Sequence, residues 1–178
     1  MRRICYSVAM SLDGYIAGPQ GEYDWIPMDP DVDFAQLGSR FDTLLMGRGT
    51  YQPFAGQNAA GSPFADMAIL VVSTTLRQAD HPGVTIINDL NTAVLDQLRA
   101  KPGKDIWLFG GGALFRSLLD LGRVDVVEVA VVPVLLGGGV PFLPAPARRT
   151  TLSLTSNRLY SKSGMMMLEY TARPAVER

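Results

Sequence analysis

The sequence predicts an α/β fold of three layers: a mostly parallel central sheet, helices on both faces, and antiparallel strands added at the C-terminal edge. Two patterns predict it. From Ile4 to Leu121, short apolar and β-branched runs alternate with segments of helical spacing, the signature of units that lay strands parallel. From Val124 onward only strands follow, so the last of them pair antiparallel at an edge. Composition agrees: 178 residues, 47% apolar and 19% charged, suit one domain spanning 1–178, with a core over about 3–172 and a short C-terminal tail.

The elements follow in order. Ile4–Met10 reads as a buried strand, and Ser11–Gly18 as a glycine-punctuated loop. Glu22–Asp33 is acidic and broken by prolines; Phe34, Leu37 and Phe41 then give helical spacing to a short helix. Thr43–Met46 is a strand ending at Gly47-Arg48-Gly49-Thr50, which opens a short helix carrying Tyr51 and Phe54. A small-residue loop is expected over Ala55–Pro63. Met67–Val72 and Val84–Ile87 are strands, and Asn88 or Asp89 caps a helix whose face is Leu90, Val94 and Leu98. Asp105–Phe109 is a strand ending in Gly110-Gly111-Gly112, followed by a helix over Ala113–Leu121 closed by Gly122 at C′. Val124–Val132 is a long β-branched strand. Leu152–Leu159 and Met165–Thr171 form the final pair, joined around Ser161–Gly164.

The counts exclude several chemistries. One cysteine, Cys5, forms no internal disulfide, which points to a reducing cytoplasm. One histidine, His81, rules out His-rich zinc sites, and no metal is expected; Ala79-Asp80-His81-Pro82-Gly83 reads as a solvated turn. A net charge of −1 offers no footprint for nucleic acid. Met1-Arg2-Arg3 followed by Ile4–Leu12 alternates like a strand rather than a signal peptide. The uncharged stretch Val129–Ala147 contains four prolines and a glycine triplet, so no membrane partner is expected. Chemistry poor in protein acids, bases and metals favours a borrowed cofactor.

In an open α/β sheet, ligands bind beyond the carboxyl ends of the strands. Three such ends carry groups suited to phosphate: Gly47-Arg48-Gly49-Thr50, Ser73-Thr74-Thr75 with Arg77 beyond it, and Gly110-Gly111-Gly112. Glycine at a strand-to-helix turn also serves plain turn geometry, and GxGxxG is absent, so the convergence of all three carries the reading. A ligand with two separated phosphate groups uses all three.

Ser11-Leu12-Asp13-Gly14, Asp42-Thr43-Leu44-Leu45-Met46-Gly47-Arg48-Gly49-Thr50-Tyr51, Leu108-Phe109-Gly110-Gly111-Gly112-Ala113-Leu114-Phe115 and Pro133-Val134-Leu135-Leu136-Gly137-Gly138-Gly139 occur in that order. Together they resemble the dihydrofolate-reductase-like superfamily, and most of all the stand-alone relatives of the C-terminal reductase domain of the bifunctional riboflavin-biosynthesis deaminase-reductase. The resemblance runs from residue 1 to residue 172 and implies NADPH as cofactor. It implies that Gly47, Arg48 and Thr50 hold the pyrophosphate and adenosine side, and that Ser73 and Thr74, with Arg77, receive the 2′-phosphate. It further implies that Gly110, Gly111 and Gly112, with the N–H groups of Ala113 and Leu114, take the pyrophosphate from the other side. Ala9 would flank the nicotinamide, with the Asp13–Gly18 loop closing over it.

The substrate side departs from dihydrofolate reductases. Their helix-start carboxylate has candidates here in Asp29, Asp31 and Asp33, which spacing does not separate and which also suit helix capping. Asp13 and Asp31 are the candidate catalytic carboxylates, Asp13 being equally a turn former. Trp25, Phe34 and Phe115 are the candidate substrate-binding residues; Phe115 stands where the folate enzymes usually carry Tyr, and Val126–Val132 contains no Ser or Thr. The expected function is NADPH-dependent reduction of a small pterin- or pyrimidine-like heterocycle, the alternative a non-catalytic nucleotide-binding regulatory module. The apolar Val124–Leu136 segment exceeds what an edge strand of a monomer exposes, so it is expected to be covered, and relatives suggest a homodimer using the late strands.

Overall fold

The computed structural model describes residues 1–55 and 64–172. The element order is β1 (Ile4–Ser11), β2 (Tyr15–Ala17), α1 (Phe34–Ser39), β3 (Phe41–Gly47), α2 (Arg48–Tyr51), β4 (Ala68–Val72), β5 (Thr85–Ile87), α3 (Thr92–Ala100), β6 (Asp105–Gly110), α4 (Gly112–Asp120), β7 (Val126–Val132), β8 (Val140–Pro141), β9 (Leu152–Tyr160) and β10 (Met165–Ala172). Short 3-10 turns follow α2 at Gln52–Phe54 and precede β5 at Gln78–Asp80. Of the small-residue loop expected over 55–63, residues 56–63 lie outside the described residues, as does the tail from 173.

Eight strands form one sheet in the order β5-β4-β3-β6-β1-β7-β10-β9, and β2 pairs with β8 in a small second sheet. The first six are parallel; β10 runs antiparallel to both β7 and β9. Alternation along each strand sorts side chains onto two faces. One carries Ile4, Tyr6, Leu45, Leu108 and Val127 against Leu95 and Leu98 of α3 and Leu114, Phe115 and Leu118 of α4. The other carries Cys5, Leu44, Met46, Val71 and Trp107 against Leu37 of α1 and Tyr51 of α2. With both faces covered, the strands need to be apolar throughout, hence continuous runs in the sequence. Each fully buried Leu or Phe contributes roughly 1.5–3 kcal/mol of apolar transfer.

Four local expectations are corrected. Phe41 opens β3, because α1 ends at Ser39, and Phe41 packs on Trp107 with ring centroids 5.1 Å apart. The cap of α3 is Asn91, whose side chain accepts from the Val94 N–H at 3.0 Å; the buried face is Leu95 and Leu98, with Leu90 before the helix. Asn88 instead donates to the Ser73 and Leu76 carbonyls at 2.7 and 2.9 Å, pinning the turn after β4. His81 is half-buried rather than solvated, its Nδ1 3.1 Å from the Tyr51 hydroxyl. Gly122 takes the C′ position as expected.

Of the Val124–Leu136 segment, the part up to Val132 is covered by its own chain, while Leu135 beyond it is 70% exposed. β7 lies between β1 and β10, and Val126, Val127, Val129, Ala130 and Val132 are buried. Its apolar character therefore follows from a central place in the sheet. No helix among the described residues is long and apolar enough to cross a membrane.

Candidate functional site

Parallel pairing brings the carboxyl ends of β3, β4 and β6 side by side, with Gly47 opposite Val72 and Met46 opposite Gly110. Gly47, Ser73 and Gly110 thus meet at one rim. The Arg48 guanidinium donates from Nη1 to the Thr75 hydroxyl at 2.9 Å, bridging the ends of β3 and β4. Thr75 lay in the serine–threonine run but was not singled out; a partner for Arg48 one strand over was the signal available. The Ser73 hydroxyl is buried and accepts from the N–H groups of Thr75 and Leu76 at 3.2 and 3.1 Å, so it holds the turn. Thr74, Thr75, Arg48 and Arg77 are the exposed groups there.

The Thr50 hydroxyl stands over the glycine triplet: a Cβ on Gly110 or Gly111 would lie 3.4 Å from it. The Gly110–Gly111 peptide is cis. Gly112 has a different reason to be glycine, because any Cβ would collide with the carbonyl oxygens of Pro141 and Phe142. The expectation that all three glycines clear space for a ligand is corrected at Gly112, where the chain's own backbone takes that space. Ala113 and Leu114 are in the first turn of α4, capped by Gly111, where backbone N–H groups lack intrahelical acceptors.

The loop after β1 is fastened rather than free. Leu12 N–H donates to the Val134 carbonyl at 2.9 Å, Phe142 N–H donates to Gly14 at 2.9 Å, and β2 pairs with β8. Asp13 completes this stitching. Its carboxylate accepts from the Ser11 hydroxyl at 2.6 Å and from the Leu136 and Gly137 N–H groups at 3.1 and 2.7 Å. The Ser11 hydroxyl, joined by those amides, holds the Asp13 carboxyl below the usual carboxylate range against a smaller opposing effect of burial. That is a loop-anchoring environment, not one that keeps a proton to donate near neutral pH.

Beyond Ala9, an apolar cluster joins Ala130, Val132, Tyr160 and Met165 with Trp25, Val32, Val134 and Met167. Ala9 and Trp25 both pack against this cluster, while the Trp25 indole N–H donates to the Glu22 carbonyl at 3.2 Å. Phe34 is half exposed at the start of α1. Phe115 is corrected: it is buried on the opposite face of the sheet, stacked on Tyr6 with ring centroids 3.9 Å apart, and reaches no substrate from there. Leu114, Phe115 and Leu118 form the inward stripe of α4, a periodicity that carried this information.

The acids before α1 separate by partner. Asp33 caps the helix, accepting from the Gln36 N–H at 2.8 Å. Asp31 is exposed and receives Lys162 Nζ at 2.8 Å. The buried one is Asp29, which accepts from the N–H groups of Asp31 at 2.9 Å and Ser163 at 3.1 Å. Ser163 and the Asp31 amide hold its carboxyl below the usual range. Asp29 and Asp31 both tie the segment before α1 to the β9–β10 turn. Sequence reasoning also passed over Glu128, a buried carboxylate of β7 paired with Arg40 at 2.5 Å; a lone acid in a β-branched run was its signal.

This chain is 34% identical over 179 residues to the uncharacterized protein YyaP of Bacillus subtilis (strain 168), covering 95% of this chain and 94% of the relative. A candidate riboflavin biosynthesis protein from Shewanella sp. PV-4 superposes with a TM-score of 0.80 at 26% identity, over 98% of this chain and 100% of that one. Dihydrofolate reductase from Enterococcus faecalis, in complex with NADP(H), superposes with a TM-score of 0.69 at 15% identity over 97% of each chain. The fold is thus dihydrofolate-reductase-like. The family model of the RibD C-terminal domain matches residues 2–164, and the chain belongs to that family.

Proposed function

We propose that this protein is an NADPH-dependent reductase acting on a small pterin- or pyrimidine-like heterocycle. The observation that carries the reading is the rim where Arg48, Thr50, Thr74, Thr75 and the Gly110–Gly111 peptide converge from three neighbouring strands. It offers hydroxyls, guanidinium groups and a helix start to a ligand with separated phosphates. Membership of a family named for a RibD domain, on a reductase-like fold, agrees with it. In this reading Gly47, Arg48 and Thr50 hold one side of the pyrophosphate, and Gly110, Gly111 and the amides of Ala113 and Leu114 the other. Thr74, Thr75 and Arg77 receive the 2′-phosphate. When bound, NADPH supplies the hydride. Ala9 and Trp25 give the reacting ring an apolar wall, and the loop stitched by Asp13 screens it from water.

Titration of cofactor fluorescence tests the reading. NADPH is expected to bind more tightly than NADH; Arg77→Ala is expected to weaken NADPH by about tenfold or more while leaving NADH nearly unchanged, and Arg48→Ala to weaken both. No binding of either nucleotide overturns it. One observation favours a second reading, a nucleotide-binding regulatory module: Asp13, Asp29 and Asp31 are all committed to contacts within the fold. It requires NADPH to bind without being oxidised by any heterocycle in a substrate panel.

The reading includes a homodimer. β9 is the outer strand of the sheet, and its Leu154 and Leu159 are 53% and 59% exposed, which suits cover by a second copy. Sedimentation as a 19.3 kDa monomer at micromolar concentration overturns it. It also includes a cytoplasmic setting, supported by the lone Cys5, whose thiol is pushed up to about 12 by burial and is therefore inert.

A further inference from the structure

The opposite end of the sheet holds a second concentration of charge. A crevice of about 600 Å³ opens at the amino ends of β3, β6 and β1, and its lining includes Arg2, Arg40, Arg99, Lys101 and Lys104, with Asp105 the acid among the lining residues. Around it Arg2 pairs with Asp42, Arg3 with Asp105 at 2.6 Å, Arg40 with Glu128 at 2.5 Å and Arg99 with Asp125 at 2.8 Å. These four pairs cancel. Lys101 and Lys104 form no ion pair among the described residues; Glu169, opposite Glu128 on β10, is a fifth carboxylate that acts on Arg3 and Arg40, so six cations face five carboxylates and one positive charge remains, on a chain whose net charge is −1.

The turn that presents the two lysines is held from below. The Lys104 N–H donates to Asp42 at 2.8 Å, and Arg2 Nε donates to the Lys104 carbonyl at 2.5 Å. Gly103, at φ +145°, packs so closely on Asp42 and Arg2 that a Cβ would collide with the carboxylate. Arg2 is itself 7% exposed, so the floor is fixed. The neighbouring guanidinium groups keep donors: Arg40 gives one Nη2 bond to Glu128, and Arg99 gives Nε and Nη2 to the Arg2 carbonyl and Asp125.

We infer that this crevice is a binding site for a dianionic phosphate, carried by a phosphate monoester or by inorganic phosphate. Two ammonium groups without an ion pair on a fixed turn, above guanidinium groups with N–H bonds to give, match a doubly charged tetrahedral oxyanion. The site is separate from the hydroxyl rim, which lies at the carboxyl ends of β3, β4 and β6. It does not depend on the reductase reading.

The test is calorimetric titration with inorganic phosphate and with glycerol 3-phosphate at pH 8 and constant ionic strength, with thermal melts alongside. The natural chain is compared with Lys101→Glu/Lys104→Glu, with Lys101→Gln/Lys104→Gln, and with Arg48→Ala, which alters only the rim. The natural chain and Arg48→Ala are expected to bind and to melt higher with phosphate. Both lysine variants, folded by circular dichroism, are expected to bind at least about tenfold more weakly. Tighter binding of the monoester identifies a phosphorylated metabolite as the ligand class; tighter binding of inorganic phosphate identifies the free ion. The inference is overturned if neither binds, if the lysine variants bind like the natural chain, or if chloride at equal ionic strength reproduces the rise in melting temperature.

Discussion

At their amino ends, β3, β6 and β1 are joined to their surroundings by charge; at their carboxyl ends β3, β4 and β6 finish in glycines and hydroxyls. Arg2, Arg3, Arg40 and Arg99 each reach a carboxylate on a different element. At the rim, Arg48 meets only a hydroxyl, and Arg77 forms no ion pair among the described residues. The difference teaches where this fold places stability and where it leaves binding capacity. A cation paired with a carboxylate is largely neutralised, and one beside hydroxyls still seeks an anion. The amino end serves mostly the first purpose, with a small surplus on Lys101 and Lys104; the carboxyl end serves the second.

The sharpest way to break this contrast is to remove the cation that faces the most deeply buried acid. Glu128 is 3% exposed and its partner is Arg40, which also lies over the Phe41 ring at 5.2 Å. Arg40→Met keeps the packing volume but leaves a buried carboxylate unpaired. A loss of about 3–5 kcal/mol in urea unfolding is expected. The paired replacement Arg40→Met/Glu128→Leu should recover most of it, because the uncompensated charge is then gone. A loss below about 1 kcal/mol in the single variant would mean that this pair does not carry the amino end.

At the carboxyl end the corresponding probe is Asp13. Asp13→Ala leaves the Leu136 and Gly137 amides without their acceptor, and hydrogen exchange over residues 12–18 and 134–142 is expected to quicken by about fivefold or more. Exchange in β3 and β6 should not change. Acid tests the same contact. The folded-state carboxyl of Asp13 lies below its unfolded value, so its contribution is complete above about pH 4 and is lost as pH falls through the folded value. The loop in the natural chain should therefore loosen in acid, and Asp13→Asn should flatten that dependence. Unchanged exchange in Asp13→Ala would show that β2–β8 pairing alone holds the loop.

Much of the fold was legible because it is written locally. Continuous apolar runs mark strands covered on both faces, and the glycine and hydroxyl groups at three strand ends could be aligned from their order alone. The two-residue β8 and three-residue β2 were not legible, since neither is long enough to show a period. The carboxylates escaped for another reason. Asp13 meets Gly137 across 124 residues and Asp29 meets Ser163 across 134, so whether an acid is free or committed depends on contacts that no local pattern records. Phe115 was legible and was misread: its place in the stripe of α4 marked it as core, while the motif beside it suggested a substrate wall.

The smallest expected effect separates burial from mere pairing at the amino end. Arg3 and Asp105 have the geometry of a strong pair, with Arg3 donating from Nε and Nη2 to one oxygen at 2.9 and 2.6 Å. Arg3, however, is 54% exposed, and water screens the attraction that Glu128 and Arg40 feel in the interior. Arg3→Ala should cost below about 1 kcal/mol, and that small cost should shrink further in molar salt. If Arg3→Ala proved as damaging as Arg40→Met, the amino end would be held by its pairs as a connected network rather than by the burial of one of them, and additivity between the two variants would fail.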